Sequence, residues 1–196
     1  MTETAIDLQN KINALYSKLY NKNEKNVRLS NDNIFSVSIG KRVLKNELIS
    51  NAEIPVYSTN VQKPFGYTDE LLIKEFDNPS VLWGIDGEWM VNYINKGVKF
   101  YPTDHCGVLR LKNNDMLLEK YVAYALEEAG KDFDFSRTKR ASIDRIKDIK
   151  IPVPDIEEQK RTIAEILPLE KRLEKLQKDI DEIPAKKQAI LDKYLK

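Results

Sequence analysis

The C-terminal segment, residues 155–196, constrains the chain most, because after Ile151-Pro152-Val153-Pro154 the apolar side chains abruptly take up a spacing of three and four. Ile166, Leu169, Leu173, Leu176, Ile180, Ile183, Ile190 and Tyr194 fall on one seam, with Lys187 in its single polar slot. A seam of that width must be buried against another helix, so the segment reads as a long coiled-coil helix for assembly. Forty residues of helix would span about 60 Å. Asp155, three residues before Glu158, has the form of a capping box, and Pro152 and Pro154 hold the preceding residues extended. Glu157 is placed to pair with Arg161 one turn on. Pro168 and Pro184 each remove a helix hydrogen bond, so a kink or break is expected at each.

A chain of 196 residues can hold one domain with a sizeable core plus such an appendage, and its single cysteine, Cys106, cannot form an internal bridge. No apolar run approaches the eighteen or so residues of a membrane span, and the N-terminus has no basic segment followed by an apolar one. A soluble, cytoplasmic protein without a membrane partner is expected. With 32 basic residues against 31 acidic ones the chain is no general polycation, so nucleic-acid binding would rest on local patches. The clearest lies between Arg137 and Lys150, where six residues are basic and two are acidic.

Residues 1–25 carry Ala5, Leu8, Ile12, Leu15 and Leu19 at helical spacing and then a polar exit, which predicts an amphipathic helix. From 26 to 154 the pattern changes to short β-rich runs at 34–38, 81–85, 89–94, 98–101, 107–111 and 149–153. Asp86-Gly87 and Asn95-Lys96-Gly97 separate three of these, predicting a β-meander. One helix interrupts, with Asp115 as its expected cap, Leu117, Leu118, Tyr121, Val122 and Ala125 on its apolar face, and Gly130 as its stop. The fold class is α+β: a β-rich domain with a few helices, followed by the long C-terminal helix at 155–196.

The segment Ile149-Lys150-Ile151-Pro152-Val153-Pro154-Asp155-Ile156-Glu157-Glu158-Gln159-Lys160, running into Ile163-Ala164-Glu165-Ile166-Leu167, resembles the junction between target-recognition domain and conserved helix in specificity subunits of type I restriction-modification systems. Upstream landmarks agree in order. Ser38-Ile39-Gly40-Lys41-Arg42-Val43 resembles the family's glycine-lysine motif, Ile54-Pro55-Val56-Tyr57-Ser58 and Gly66-Tyr67-Thr68-Asp69-Glu70 its next two landmarks, and Thr103-Asp104-His105 its Thr-Asp-Asn-like turn. The resemblance covers residues 26–196 and implies a target-recognition domain followed by a helical spacer for dimerisation and subunit docking. A complete specificity subunit of the family has two of each, so this chain resembles a half subunit. The implied arrangement is a homodimer or a pairing with another half specificity subunit, with the N-terminal helix as a packing partner for a conserved helix.

The resemblance implies a non-catalytic DNA sequence-recognition subunit that directs methyltransferase and restriction subunits to a bipartite site. Reading duplex DNA needs donors and acceptors projected into the major groove and cations on phosphates, usually from loops on a rigid scaffold. The candidate loops supply Lys41 and Arg42; Ser58, Thr59, Asn60, Gln62 and Lys63; Asp86 and Trp89; Thr103 and His105; and Arg137, Thr138, Lys139 and Arg140. Arginine and lysine suit guanine, Asn60 and Gln62 suit adenine, and Lys41, Arg42, Lys139 and Arg140 serve equally as phosphate anchors. Trp83 and Trp89 fit core or loop packing better than stacking platforms. The seam residues Ile166, Leu169, Leu173, Leu176, Ile180, Ile183 and Ile190 are the expected dimer and subunit interface.

Catalytic readings find little support in the sequence. A DNA adenine methyltransferase would carry an Asn/Asp-Pro-Pro-aromatic motif and a glycine-rich cofactor loop, and neither occurs. The only histidine and the only cysteine, His105 and Cys106, are adjacent, which suits neither a zinc site nor a nucleophile pair. No cofactor is expected in this chain, and S-adenosylmethionine, ATP and Mg are expected only in partner subunits. The alternative is a coiled-coil adaptor whose β-rich domain binds protein rather than DNA.

Overall fold

In a computed structural model, residues 4–20, 25–73, 75–112 and 115–194 are described, without the side chains of residues 189, 190, 193 and 194. Helix α1 (Ala5–Lys18) opens on a reciprocal cap: the Thr4 hydroxyl accepts from the Asp7 N–H at 3.2 Å, and the Asp7 carboxylate accepts from the Thr4 N–H at 3.0 Å. Hydrogen bonds from the Thr4 N–H and the Thr4 hydroxyl hold the Asp7 carboxyl below its usual range. Leu8, Ile12 and Tyr16 recur every four residues and form its buried stripe.

The strands make three sheets. Strands β1 (Asn26–Arg28) and β9 (Lys150–Pro152) form a two-stranded pair; β2 (Phe35–Ile39), β8 (Cys106–Leu111), β5 (Ser80–Gly84) and β6 (Val91–Ile94) form an antiparallel sheet in that order. Strands β4 (Gly66–Thr68), β3 (Ile54–Tyr57) and β7 (Tyr101–Pro102) form the third, in which β3 and β7 run parallel. The expected meander is therefore only half present. β5 and β6 make its hairpin, but the run at 98–101 leaves for the third sheet and pairs with β3 instead of β6. Strands β1, β3 and β4 fall outside the expected runs, because at three or four residues they are too short for alternation to mark.

The four-stranded sheet is covered on both faces, so β5 is buried at every residue rather than alternately. Val81 and Trp83 face one way, with Phe35 and Leu109, into a core completed by helix α2 (Glu119–Lys131), α1, and Ile146 of α3 (Ile143–Lys147). Leu82 faces the other way, joining Ile94, Cys106, Val108, Val61 and Phe100. Helix α2 does not start at Asp115, and no side chain caps it: it begins after Leu118, whose N–H donates at 2.8 Å to the Gln159 side-chain oxygen. Gly130 lies one residue inside the end of the helix rather than beyond it, and glycine is needed there because the Trp89 indole occupies the space where a Cβ would sit.

Because β1 and β9 are antiparallel neighbours, the chain enters and leaves the β-rich region side by side, and α1 is laid against helix α4 (Ile156–Tyr194). α4 is capped by Asp155, whose carboxylate accepts from the Glu158 N–H at 2.8 Å. Arg161 pairs with Glu158 at 2.9 Å and Lys160 with Glu157 at 2.7 Å, so the expected Glu157–Arg161 pair is displaced by the closer three-residue spacing. The helix runs through Pro168 and Pro184 without the expected break. Both prolines are on the solvent-exposed side, where water can satisfy the carbonyl each leaves unpaired.

Three residues of the C-terminal seam pack within the chain. Ile166 is fully buried, and Leu169 and Leu173 pack against the same core as α1 and α2. Ile166 is corrected from subunit interface to intramolecular packing, while Leu169 and Leu173 are half-buried against that core. Leu176 is half-buried, while Ile180 is 46% and Ile183 55% exposed. The Ile190 side chain lies outside the described residues.

Candidate nucleic-acid interface

Strands β2 and β5 end where β8 begins, as the pairs Ile39 with Gly107 and Gly84 with Cys106 require, and β3 and β7 end together beside them. Five loops therefore meet at one end of the scaffold. The turn at 103–105 is their hub. Thr103 donates its N–H to the Tyr57 carbonyl at 2.8 Å and its hydroxyl to Ser58 Oγ at 3.1 Å, and its carbonyl accepts from the Gly40 N–H at 3.1 Å. The Lys41 N–H reaches the Pro102 carbonyl at 3.3 Å. Only glycine fits at position 40, where a Cβ would stand 1.7 Å from the Pro102 carbonyl oxygen. The His105 carbonyl accepts from the Ile85 N–H at 3.1 Å, and the Ile85 carbonyl accepts from the Ala141 N–H at 2.8 Å.

Side chains link the same loops. One Asp86 carboxylate oxygen meets His105 Nδ1 and the other meets Arg140 Nε, while Arg140 Nη2 lies 3.3 Å from the first. His105 Nε2 is 3.8 Å from the Asp104 carboxylate. Lys139 pairs with Asp134 at 2.5 Å and holds that carboxyl below its usual range. Lys41, Arg42, Arg137 and Thr138 are exposed, and no ion pair engages these three cations among the described residues. The turn is closed by the Ser136 hydroxyl, which accepts from the Lys139 N–H at 3.2 Å.

Several residues expected to touch DNA have other work. Thr103 is 2% exposed, with its hydroxyl bonded to Ser58 and to the His105 N–H, so it pins the hub and cannot read a base. Trp89 donates its indole N–H to the Glu127 carbonyl at 2.9 Å and packs against Phe135 with ring centroids 4.8 Å apart and planes tilted by 34°, so it is packing rather than a platform. The Asn60 side-chain oxygen accepts from the Gln62 and Lys63 N–H groups at 2.9 Å each, leaving no open acceptor for two-point adenine reading. Gln62 and Lys63 are exposed within this turn, next to the buried Val61. Thr59 is half-buried beside it.

Sequence reasoning passed over three polar side chains that fix the helices to the recognition loops' scaffold. Buried Gln159 donates to the Met116 and Pro154 carbonyls at 2.7 and 2.9 Å while accepting from Leu118. Glu170 of α4 accepts from Tyr16 and Tyr124 at 3.3 and 2.8 Å and pairs with Lys120 at 2.9 Å, joining α1, α2 and α4. Glu127 accepts from the Val91 N–H at 2.8 Å, and burial pushes its carboxyl up to about 7. A polar residue interrupting a buried stripe was the available signal for Gln159. Nothing local marked the others.

A rigid β scaffold that gathers donor- and cation-bearing loops at one end, on a long helical strut, defines a macromolecular recognition module. A family model for the type I restriction modification DNA specificity domain matches residues 9–185, and the chain belongs to that family. A putative type I specificity subunit of Mycoplasma pneumoniae is 30% identical over 156 residues, covering 78% of this chain and 49% of that protein. The crystal structure of a type I restriction-modification S subunit from M. genitalium superposes with a TM-score of 0.72 at 17% identity, over 95% of this chain and 53% of that one. An HsdS subunit from Thermoanaerobacter tengcongensis gives 0.63 at 16% identity, over 96% and 51%. The chain thus spans about half the length of these relatives.

Proposed function

We propose that this chain is a DNA sequence-recognition subunit of a type I restriction-modification system, reading one part of a bipartite site with the loops gathered around residues 103–105. The observation that carries this reading is the meeting of five loops, with exposed Lys41, Arg42 and Arg137 among them, on one end of a scaffold of this family. The chain itself is non-catalytic. It directs a methyltransferase subunit and a restriction subunit to the site, in the cytoplasm; S-adenosylmethionine, ATP and Mg belong to those partners. Among the described residues no helix is long and apolar enough to cross a membrane. The exposed Ile180 and Ile183 call for a further helix from a second copy or another specificity half, which would set the spacing of paired half-sites.

The test is binding of the pure chain to a fluorescent random-sequence duplex between 50 and 200 mM salt, where a phosphate-contacting protein loses affinity steeply by counterion release. A salt-independent or absent interaction would leave the protein-binding adaptor as the better reading. Co-expression with the neighbouring methyltransferase subunit, followed by mapping of methylated adenines, then identifies the site. Methyl transfer by the isolated chain would overturn its non-catalytic role.

A further inference from the structure

We propose that Asp86 is a positioning residue that presents Arg140 as a fork for one guanine, with His105 set beside it. The proposal rests on the DNA-recognition reading above and assigns a chemistry within it. Arg140 has five N–H donors, and Asp86 takes the one on Nε and one on Nη2. Three donors remain, both on Nη1 and the second on Nη2, at the end of the guanidinium. That end-on pair of nitrogens matches guanine O6 and N7 in the major groove. The Asp86 oxygen that meets Arg140 Nη2 also holds His105 Nδ1, which leaves Nε2 as the ring's other nitrogen, 3.8 Å from the Asp104 carboxylate.

Two alternatives explain the cluster less well. As a loop tether, the Asp86 pair is redundant, because the Ala141 N–H already donates to the Ile85 carbonyl at 2.8 Å and Trp83 Nε1 to the Ala141 carbonyl at 2.9 Å. Arg145 further holds the loop through the Arg140 and Phe133 carbonyls at 3.0 and 2.8 Å. As a phosphate anchor, Arg140 would be better without a carboxylate, since Asp86 cancels its charge and repels the backbone. A carboxylate only 19% exposed at the centre of a polyanion-binding surface is useful where it fixes direction.

The opposite sign of these effects gives the test. Duplexes with a randomised 20-base-pair centre are selected on the wild-type full chain, and an enriched duplex is compared with a scrambled one by anisotropy. Failure of the wild type to enrich any sequence would count against DNA recognition itself. Given enrichment, Asp86→Ala should bind the enriched duplex about tenfold or more weakly and the scrambled duplex equally or more tightly, with one G·C position losing its preference. Tighter binding to both duplexes by the same factor would overturn the proposal. Arg140→Lys keeps the charge but not the fork, and covers the case in which Asp86→Ala fails to fold. It should lose the same G·C preference while retaining the wild-type salt dependence, and full retention of that preference would equally overturn the proposal.

Discussion

At the scale of single residues, the polar groups that matter most to the scaffold are those whose role is set by burial rather than by type. Glu127 titrates near 7 because desolvation outweighs the Val91 N–H it accepts and the nearby Lys131. Its folded pKa lies above the ordinary value of 4.5, so the folded state holds the proton more tightly and stability falls as pH rises from about 4.5 to about 7. Glu127→Gln keeps the acceptor for Val91 without the charge. It should leave stability little changed at pH 5 and raise it by roughly 1–3 kcal/mol at pH 8, and urea unfolding at the two pH values checks this; an equal difference at both would refute it. Thr103 shows the limit of reading such roles from sequence. A Thr-Asp-His turn between strands has the composition of a reader, and only burial reveals that its hydroxyl is spent on Ser58. The exposure of Lys41, Arg42 and Arg137 was legible because long cations on polar loops stay at the surface whatever the tertiary arrangement.

At the scale of elements, periodicity located α1 and α4 because each spans several turns, while the three-residue strands β1 and β4 lie in no apolar run long enough to detect. Periodicity did not say which neighbour covers a stripe. The seam of α4 divides near Leu176, with its N-terminal part held by the core and by Gln159 and Glu170, and its distal part exposed. Gln159→Ala would leave the Leu118 N–H and the Met116 and Pro154 carbonyls without this partner, at about 1–3 kcal/mol for each group that water does not reach. Hydrogen exchange should then quicken in the first turns of α2 and α4 together, and unchanged protection would show that the glutamine is not the link. Ile180→Glu with Ile183→Glu should abolish self-association and leave the melting temperature of the β-rich region intact, because both residues lie outside the core. Sedimentation of both proteins at tens of micromolar decides: a monomeric wild type argues for a different polypeptide as the partner helix.

At the scale of the whole molecule, the convergence of loops distant in sequence was not deducible from the chain alone, since β7 pairs with β3 across forty-five residues and β8 inserts between β2 and β5. Family landmarks supplied the order of the loops, and the sheets supply their meeting at one end. That meeting makes a prediction about charge. Arg42 follows β2 and Arg137 follows α2, yet both leave the same end of the scaffold, so one duplex should engage both. Removing a cation that neutralises one phosphate should flatten the slope of log affinity against log salt by about 0.9. Arg42→Ala and Arg137→Ala should each do so, and the double variant should lose about twice as much. Lys139→Ala should change the slope less, because Asp134 already neutralises that ammonium. The affinities of these variants and the wild type for one duplex, measured at several salt concentrations, test this: if the double variant loses no more than one of the single variants, the duplex touches only one of the two loops, and the hub is not a single DNA-binding surface.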